Sequence, residues 1–173
     1  PLAEGAPRQP NSASILETGG STAFLLAADR ADVPLMRTLL DLGANPFWTN
    51  LSSTTPLMAA AGLGTRAPEE EAGTEEEALA ATGLMLELGA DVNAVNENNE
   101  TAMHGAAYGR FPSVVKLLAD HGADPHVWNR MNYRGWTPLF IAEGHRHIPR
   151  GPSLPTIDVI SRLMFEAGIP TEG

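Results

Sequence analysis

TAMHGAAYGRFPSVVKLLADHGADPHVWN, residues 101–129, reads as one complete structural unit. Thr101 opens a short helix whose apolar face is Ala102, Met103, Ala106 and Ala107, and Gly109 ends it. A second helix starts at about Pro112. Its apolar residues Val114, Val115, Leu117 and Leu118 follow the i, i+3, i+4 spacing that makes one stripe. Gly122 stands where that helix must stop, because glycine takes the left-handed conformation without steric cost. The chain then turns through Ala123-Asp124-Pro125 into a short extended arm.

The same wording returns three times. Thr22-Ala23-Phe24-Leu25, Thr55-Pro56-Leu57-Met58 and Thr137-Pro138-Leu139-Phe140 open the other copies. Their second helices end on Leu42-Gly43-Ala44, Leu88-Gly89-Ala90 and Ala167-Gly168. Thr22 to Thr55 is 33 residues, as is Gly89 to Gly122. A period of about 33 with a threonine-proline-leucine opening is the mark of one repeat class. On these motifs the chain resembles the ankyrin repeat family over roughly residues 20–170. The resemblance implies a mainly α solenoid of about four helix–turn–helix units with short β-hairpin arms. It also implies a binding surface in place of a catalytic centre. A single unit cannot cover both faces of its helix pair, so stacking supplies the core.

The expected organisation is a leader over 1–19, rich in proline, glycine, serine and alanine and partly packed before Gly20. Repeats follow at about 20–50, 53–96, 98–129 and 131–170, then a tail over 171–173. Thr55 to Thr101 is 46 residues, so repeat two carries 13 extra, placed between its helices around 64–73. Thr74 and Glu77 then make a capping-box pattern, with Glu75, Glu76 and Glu77 in the first turn, where the helix dipole favours negative charge. Repeat four carries two surpluses. Its arm is longer by three residues, assigned to Arg130–Arg134, and a proline-rich stretch from Gly144 to Leu154 separates its helices. The two long inter-helix insertions fall at the same joint, so they project from one edge, about 20 Å apart at their bases.

Composition sets the limits. The 173 residues are 43% hydrophobic, enough for a continuous core. The formal charge of −10 repels phosphate backbones and argues against nucleic acid. Without cysteine there is no disulfide, thiolate zinc site or cysteine nucleophile. No run of 18 apolar residues exists to insert into a membrane. Pro1 in place of methionine is what an excised piece of a longer chain would show.

No nucleophile elbow, phosphate loop or dinucleotide fingerprint is present, so neither an enzyme nor a cofactor is expected. The glutamates at 69–71 and 75–77 lack the alternation of a calcium loop and read as a solvated helix start. His145 and His147 in one loop fall short of the three or four converging ligands zinc needs. His121 is read as packed on the core side of a helix end. For His104, after threonine-x-x, the resemblance implies an inter-repeat hydrogen bond. Leu25, Met58 and Phe140 stand at that place in the other repeats, so the ladder is incomplete.

The expected function is non-catalytic binding of a protein partner through the arms and the concave helix face. The alternative is an accessory or regulatory domain of a larger enzyme or envelope protein, with the insertions forming a ligand or metal pocket. The aromatics point to the arms, since tryptophan and tyrosine dominate binding hot spots. Trp48 and Trp128 follow Gly43 and Gly122, and Tyr133 and Trp136 lie between Arg130 and Thr137 beside Arg134. The alternative is that each tryptophan packs on its neighbour repeat and seals the stack, with Trp136, flanked by Arg130 and Arg134, the one that points to contact. The resemblance implies solvent-facing arms whose variable positions touch the partner. Carried over, these are Leu51, Ser52 and Thr54; Glu97, Asn98, Glu100 and Gly105; Trp128, Arg130, Tyr133, Arg134, Trp136 and Ile141.

Overall fold

Three of the four short first helices begin where a threonine side chain accepts a backbone N–H. Thr22, Thr55 and Thr137 take the amides of Leu25, Met58 and Phe140 at 3.1, 3.2 and 3.2 Å. The proline that follows in two of them suits the first turn, where its missing N–H would have had no partner. The computed structural model describes residues 19–65, 73–145 and 151–171. Among them the helices are α1 (Ala23–Asp29), α2 (Val33–Asp41), α3 (Pro56–Ala60), α4 (Glu75–Glu87), α5 (Ala102–Gly109), α6 (Pro112–Asp120), α7 (Pro125–Trp128), α8 (Pro138–Ala142) and α9 (Leu154–Glu166). Residues 1–18 of the expected 1–19 leader, residues 66–72 and 146–150 of the two insertions and the last two residues lie outside the described residues.

Helices of five to eight residues do not persist alone in water. Here they are held by two rows of packing. The first helices stack as α1–α3–α5–α8, the second helices as α2–α4–α6–α9, and each first helix also packs on its own second helix. The inner members of the first row are covered on all sides: every residue of α3 and of α5 is buried. The core is therefore a band of small and medium side chains, from Phe24 and Leu25 through Leu57, Met58, Met103 and Ala106 to Ile141 and Ile160. The expected helical solenoid is present.

The second helices end on Gly43, Gly89, Gly122 and Gly168, at φ of +86°, +88°, +88° and +71°. The capping box at Thr74 is also formed. Thr74 Oγ1 accepts the Glu77 amide at 3.3 Å, and Glu77 Oε2 accepts the Thr74 amide at 2.7 Å. Glu75 does more than favour the helix dipole. Its Oε1 accepts the Ser113 amide at 2.7 Å and so caps α6, whose own N-cap Phe111 has no side-chain acceptor.

The arms expected as β-hairpins contain no strand among the described residues. Each closes as a five-residue turn around one asparagine. Asn50 Oδ1 accepts the amides of Ser52 and Thr54, Asn96 Oδ1 those of Asn98 and Glu100, and Asn132 Oδ1 those of Arg134 and Trp136, at 2.8–3.1 Å. Backbone bonds from Asn50, Asn96 and Asn132 to the carbonyls of Thr54, Glu100 and Trp136 lock the turns. The asparagine stands five residues before the threonine every time. This bounds the arm surplus. Asn50 and Asn96 follow Gly43 and Gly89 by seven residues, whereas Asn132 follows Gly122 by ten. The three extra residues therefore lie ahead of the tip, between Gly122 and Asn132, a span that holds α7 and overlaps the expected stretch only at Arg130 and Met131.

Neighbouring tips are joined by one backbone bond each. Leu51 donates to the Gly19 carbonyl at 2.9 Å, Glu97 to that of Ser52 at 3.0 Å and Tyr133 to that of Asn98 at 2.9 Å. The position two before each threonine is left-handed: Gly20, Ser53, Asn99 and Gly135 at φ of 74°, 59°, 61° and 78°. Only glycine holds that conformation without steric cost. Ser53→Gly should therefore stabilise the protein by about 0.5–1 kcal/mol in urea unfolding. The same change at Ser52, where φ is not positive, should destabilise it.

Candidate functional site

Thr101 and His104 fix the third repeat to the arm beyond it. His104 Nδ1 accepts the Thr101 amide at 3.2 Å, which leaves the proton on Nε2 to donate to the Arg130 carbonyl at 3.1 Å. One turn further out, the tips are joined by side chains. Asn96 Nδ2 donates to Thr54 Oγ1 at 3.2 Å, and Asn132 Nδ2 donates to Glu100 Oε1 at 2.9 Å. Tyr108 OH also donates to Glu100 Oε1, at 3.1 Å. Thus the asparagines of the second and third tips each donate to an acceptor on the preceding repeat, one residue before that repeat's threonine.

Beyond the third tip the chemistry changes. Tyr133 is 55% exposed, and the Arg134 guanidinium lies over both its ring and that of Trp136, at 4.9 and 5.4 Å. Arg134 Nε donates to Tyr133 OH at 2.6 Å. Trp136 stacks on Phe140 with centroids 6.3 Å apart, and Phe140 meets His145 at 4.7 Å. Glu143 lies 3.4 Å from His145. The result is a strip of rings, one guanidinium and one imidazole, half-exposed along the edge of the last repeat.

Comparison with known proteins agrees with this architecture. A family profile described as ankyrin repeats (three copies) matches residues 75–149. The chain is similar to a putative ankyrin repeat protein, R664, of Acanthamoeba polyphaga mimivirus, 39% identical over 67 residues, which is 38% of this chain and 39% of that protein. It is similar to the ankyrin repeat, SAM and basic leucine zipper domain-containing protein 1 of Dasypus novemcinctus, 32% identical over 105 residues, 61% of this chain and 20% of that one. It is also 34% identical over 102 residues to the nuclear factor NF-kappa-B p105 subunit of Gallus gallus, covering 54% of this chain and 10% of that one. Residues 75–149 of the chain are ankyrin repeats. The chain spans less than two fifths of the length of each of these relatives. Ankyrin repeats are, as a class, protein–protein interaction modules.

Within this ankyrin stack the residues expected to touch a partner divide into two groups. Leu51, Glu97 and Tyr133 are exposed at equivalent places, each next after a tip asparagine, and Asn98, Arg130, Arg134 and Trp136 are half-buried. Six are interior, which corrects their expected role. Thr54 and Glu100 are 3% exposed and serve as acceptors between repeats. Ser52 is buried, and its carbonyl holds the neighbouring tip. Gly105 faces the backbone of α3. Trp128 and Ile141 lie in the core on α7 and α8. Trp48 and Trp128, alike in sequence, therefore part company: Trp48 is 62% exposed, while α7 turns Trp128 inward to 1%. His121 is exposed as well, its ring turned back to the Leu117 carbonyl in its own helix. Reading the sequence missed the tip asparagines and Phe140. An asparagine five residues before Thr55, Thr101 and Thr137 was the available signal for the first. Phe140, at the ladder position of His104, carried none.

Among the described residues no three His, Cys, Asp or Glu side chains come together as a metal would require, and no helix is long and apolar enough to cross a membrane. Glu69, Glu70, Glu71 and His147 lie outside the described residues.

Two buried groups give the ankyrin stack opposite pH responses. Burial lowers the His104 pKa from 6.5 to about 4, against the pull of the Arg130 carbonyl. A pKa lowered by folding gives stability that is present above 6.5 and lost as pH falls toward 4. Burial raises the Glu100 carboxyl, and hydrogen bonds from Asn132, Tyr108 and Asn96 offset this only in part. Its contribution has the other sign: present below the ordinary carboxylate range and lost as pH rises through the folded value. The urea midpoint should fall between pH 6.5 and 4, and this fall should flatten in His104→Gln, which cannot titrate.

Proposed function

We propose that this chain is a non-catalytic recognition module that binds a protein partner along its row of turn tips, chiefly at the third tip and the helix face beside it. The observation that carries the reading is the half-exposed cluster of Tyr133, Arg134, Trp136 and Phe140. Rings already stacked and an arginine already held lose little freedom when a partner covers them, which is what makes such residues hot spots. The formal charge of −10 weighs against nucleic acid as that partner. Affinity capture from the source cell, with the wild-type chain and a Tyr133→Ala/Arg134→Ala chain as baits, tests the reading. A protein retained by the first and lost by the second is expected. An identical set on both baits would refute it.

A further inference from the structure

The first repeat leaves open what every later repeat hides. Leu26, four residues after Thr22, is 39% exposed, whereas Ala59, Gly105 and Ile141 at the same place are buried. Leu35, eight residues before Gly43, is 44% exposed, whereas Ala81, Val114 and Ile160 are buried. Ala23, which opens α1, is exposed, whereas Pro56, Ala102 and Pro138 are buried. Gly105 shows which way this face looks. A Cβ built on it meets the Met58 carbonyl and the Leu63 amide of the repeat before it. The three later repeats have a repeat ahead of them, and the first has none among the described residues. An end repeat needs a polar outer face. Ala23, Leu26 and Leu35 do not supply one.

The chain enters at this same edge. Leu51 donates to the Gly19 carbonyl as Glu97 and Tyr133 donate to those of Ser52 and Asn98, and Gly20 is left-handed as Ser53 and Asn99 are. Gly19 and Gly20 therefore stand one tip ahead of the first arm, on the side where Leu26 and Leu35 are open. Eighteen residues precede Gly19, about half of the 33-residue period, so they can supply a cover but not a two-helix unit. Among them Ile15 and Leu16 are adjacent aliphatics, and residues 9–16 carry no charge. Four residues span at most about 14 Å. Leu26 lies about 6 Å along α1 from Thr22. Ile15 and Leu16 are thus within reach of the face.

We infer that residues 12–16 of this chain cover the open face of α1 and the first turn of α2, with Ile15 and Leu16 against Leu26 and Leu35, and close that end of the stack in place of a repeat. Removal of these aliphatic side chains from water drives the contact. No charge has to be buried with them. The inference is independent of the third tip.

The chain has no cysteine, so one introduced thiol reports on one position. Leu26→Cys, Leu35→Cys and, as a control on α9, Phe165→Cys are made in the 173-residue chain, each with the leader unchanged and with Ile15→Ser/Leu16→Ser. Alkylation by iodoacetamide is followed at several protein concentrations. At positions 26 and 35 the reaction should run at least about tenfold faster once Ile15 and Leu16 are replaced, because access governs thiol labelling. At position 165 the rate should not change. Equal rates with both leaders would overturn the inference. Protection that grows with protein concentration and ignores the leader substitution would also overturn it, and would give the face to a second copy of the chain. Far-ultraviolet circular dichroism of each variant shows that faster labelling is not lost fold.

Discussion

Gly105→Ala should unfold about 2–3 kcal/mol more easily than the wild type, a drop of roughly 5–10 °C in Tm. A Cβ built on Gly105 comes 2.7 Å from the Leu63 amide nitrogen and 3.0 Å from the Met58 carbonyl oxygen. Both are backbone atoms of the preceding repeat, so no side chain can swing away to relieve the contact. Either α3 and its following turn must move, or α5 must back off and open the first row of helices. Gly83 is the control. It lies inside α4, and a Cβ added there meets nothing within 4 Å, so Gly83→Ala gains helix propensity with no clash. That change should stabilise the chain by about 0.5–1 kcal/mol. Thermal melts of the two variants should move in opposite directions. A neutral Gly105→Ala would mean that α3 and α5 do not approach this closely.

Trp128→Ala should cost more, about 3–5 kcal/mol, from a stability that for a domain of this size is on the order of 5–15 kcal/mol. Trp128 is 1% exposed on α7, among the largest fully buried side chains. Its indole N–H has no hydrogen-bond partner among the described residues, so what it supplies is ring volume and buried apolar surface. Trp128→Phe, which removes that N–H and keeps a ring, should lose much less. A repeat stack couples each unit only to its neighbours. Hydrogen exchange in Trp128→Ala should therefore speed most in α6 through α9 and least in α1 and α2. Uniform acceleration would show the stack unfolding as one indivisible unit.

These two residues also show where reading the sequence stops. The four-fold recurrence of threonine openings and glycine endings made the stack legible, because helix starts and left-handed stops are local properties of the chain. Gly105 and Trp128 were both candidates for partner contact, Trp128 with packing on the neighbouring repeat as the alternative. What hides them is not local. Gly105 is interior because α3 crosses close by, and Trp128 because α7 carries its ring into the core. The side-chain rungs Asn96–Thr54 and Asn132–Glu100 were illegible for the same reason, joining residues 42 and 32 positions apart. The cluster at Tyr133, Arg134 and Trp136 was visible as a composition. Its stacking order, and the inclusion of Phe140, came only from the folded arrangement.

The proposal that the third tip meets the partner is tested most directly by photo-crosslinking. A photoreactive p-benzoylphenylalanine is placed in turn at Tyr133 and at Phe165, both exposed aromatic positions at 55% and 81%. Phe165 lies on α9, in the row of second helices, away from the turn tips. Irradiation in the source cell should yield a discrete crosslinked protein from position 133 and none from position 165. A crosslink from 165 with none from 133 would contradict the account and move the binding surface to the second helices.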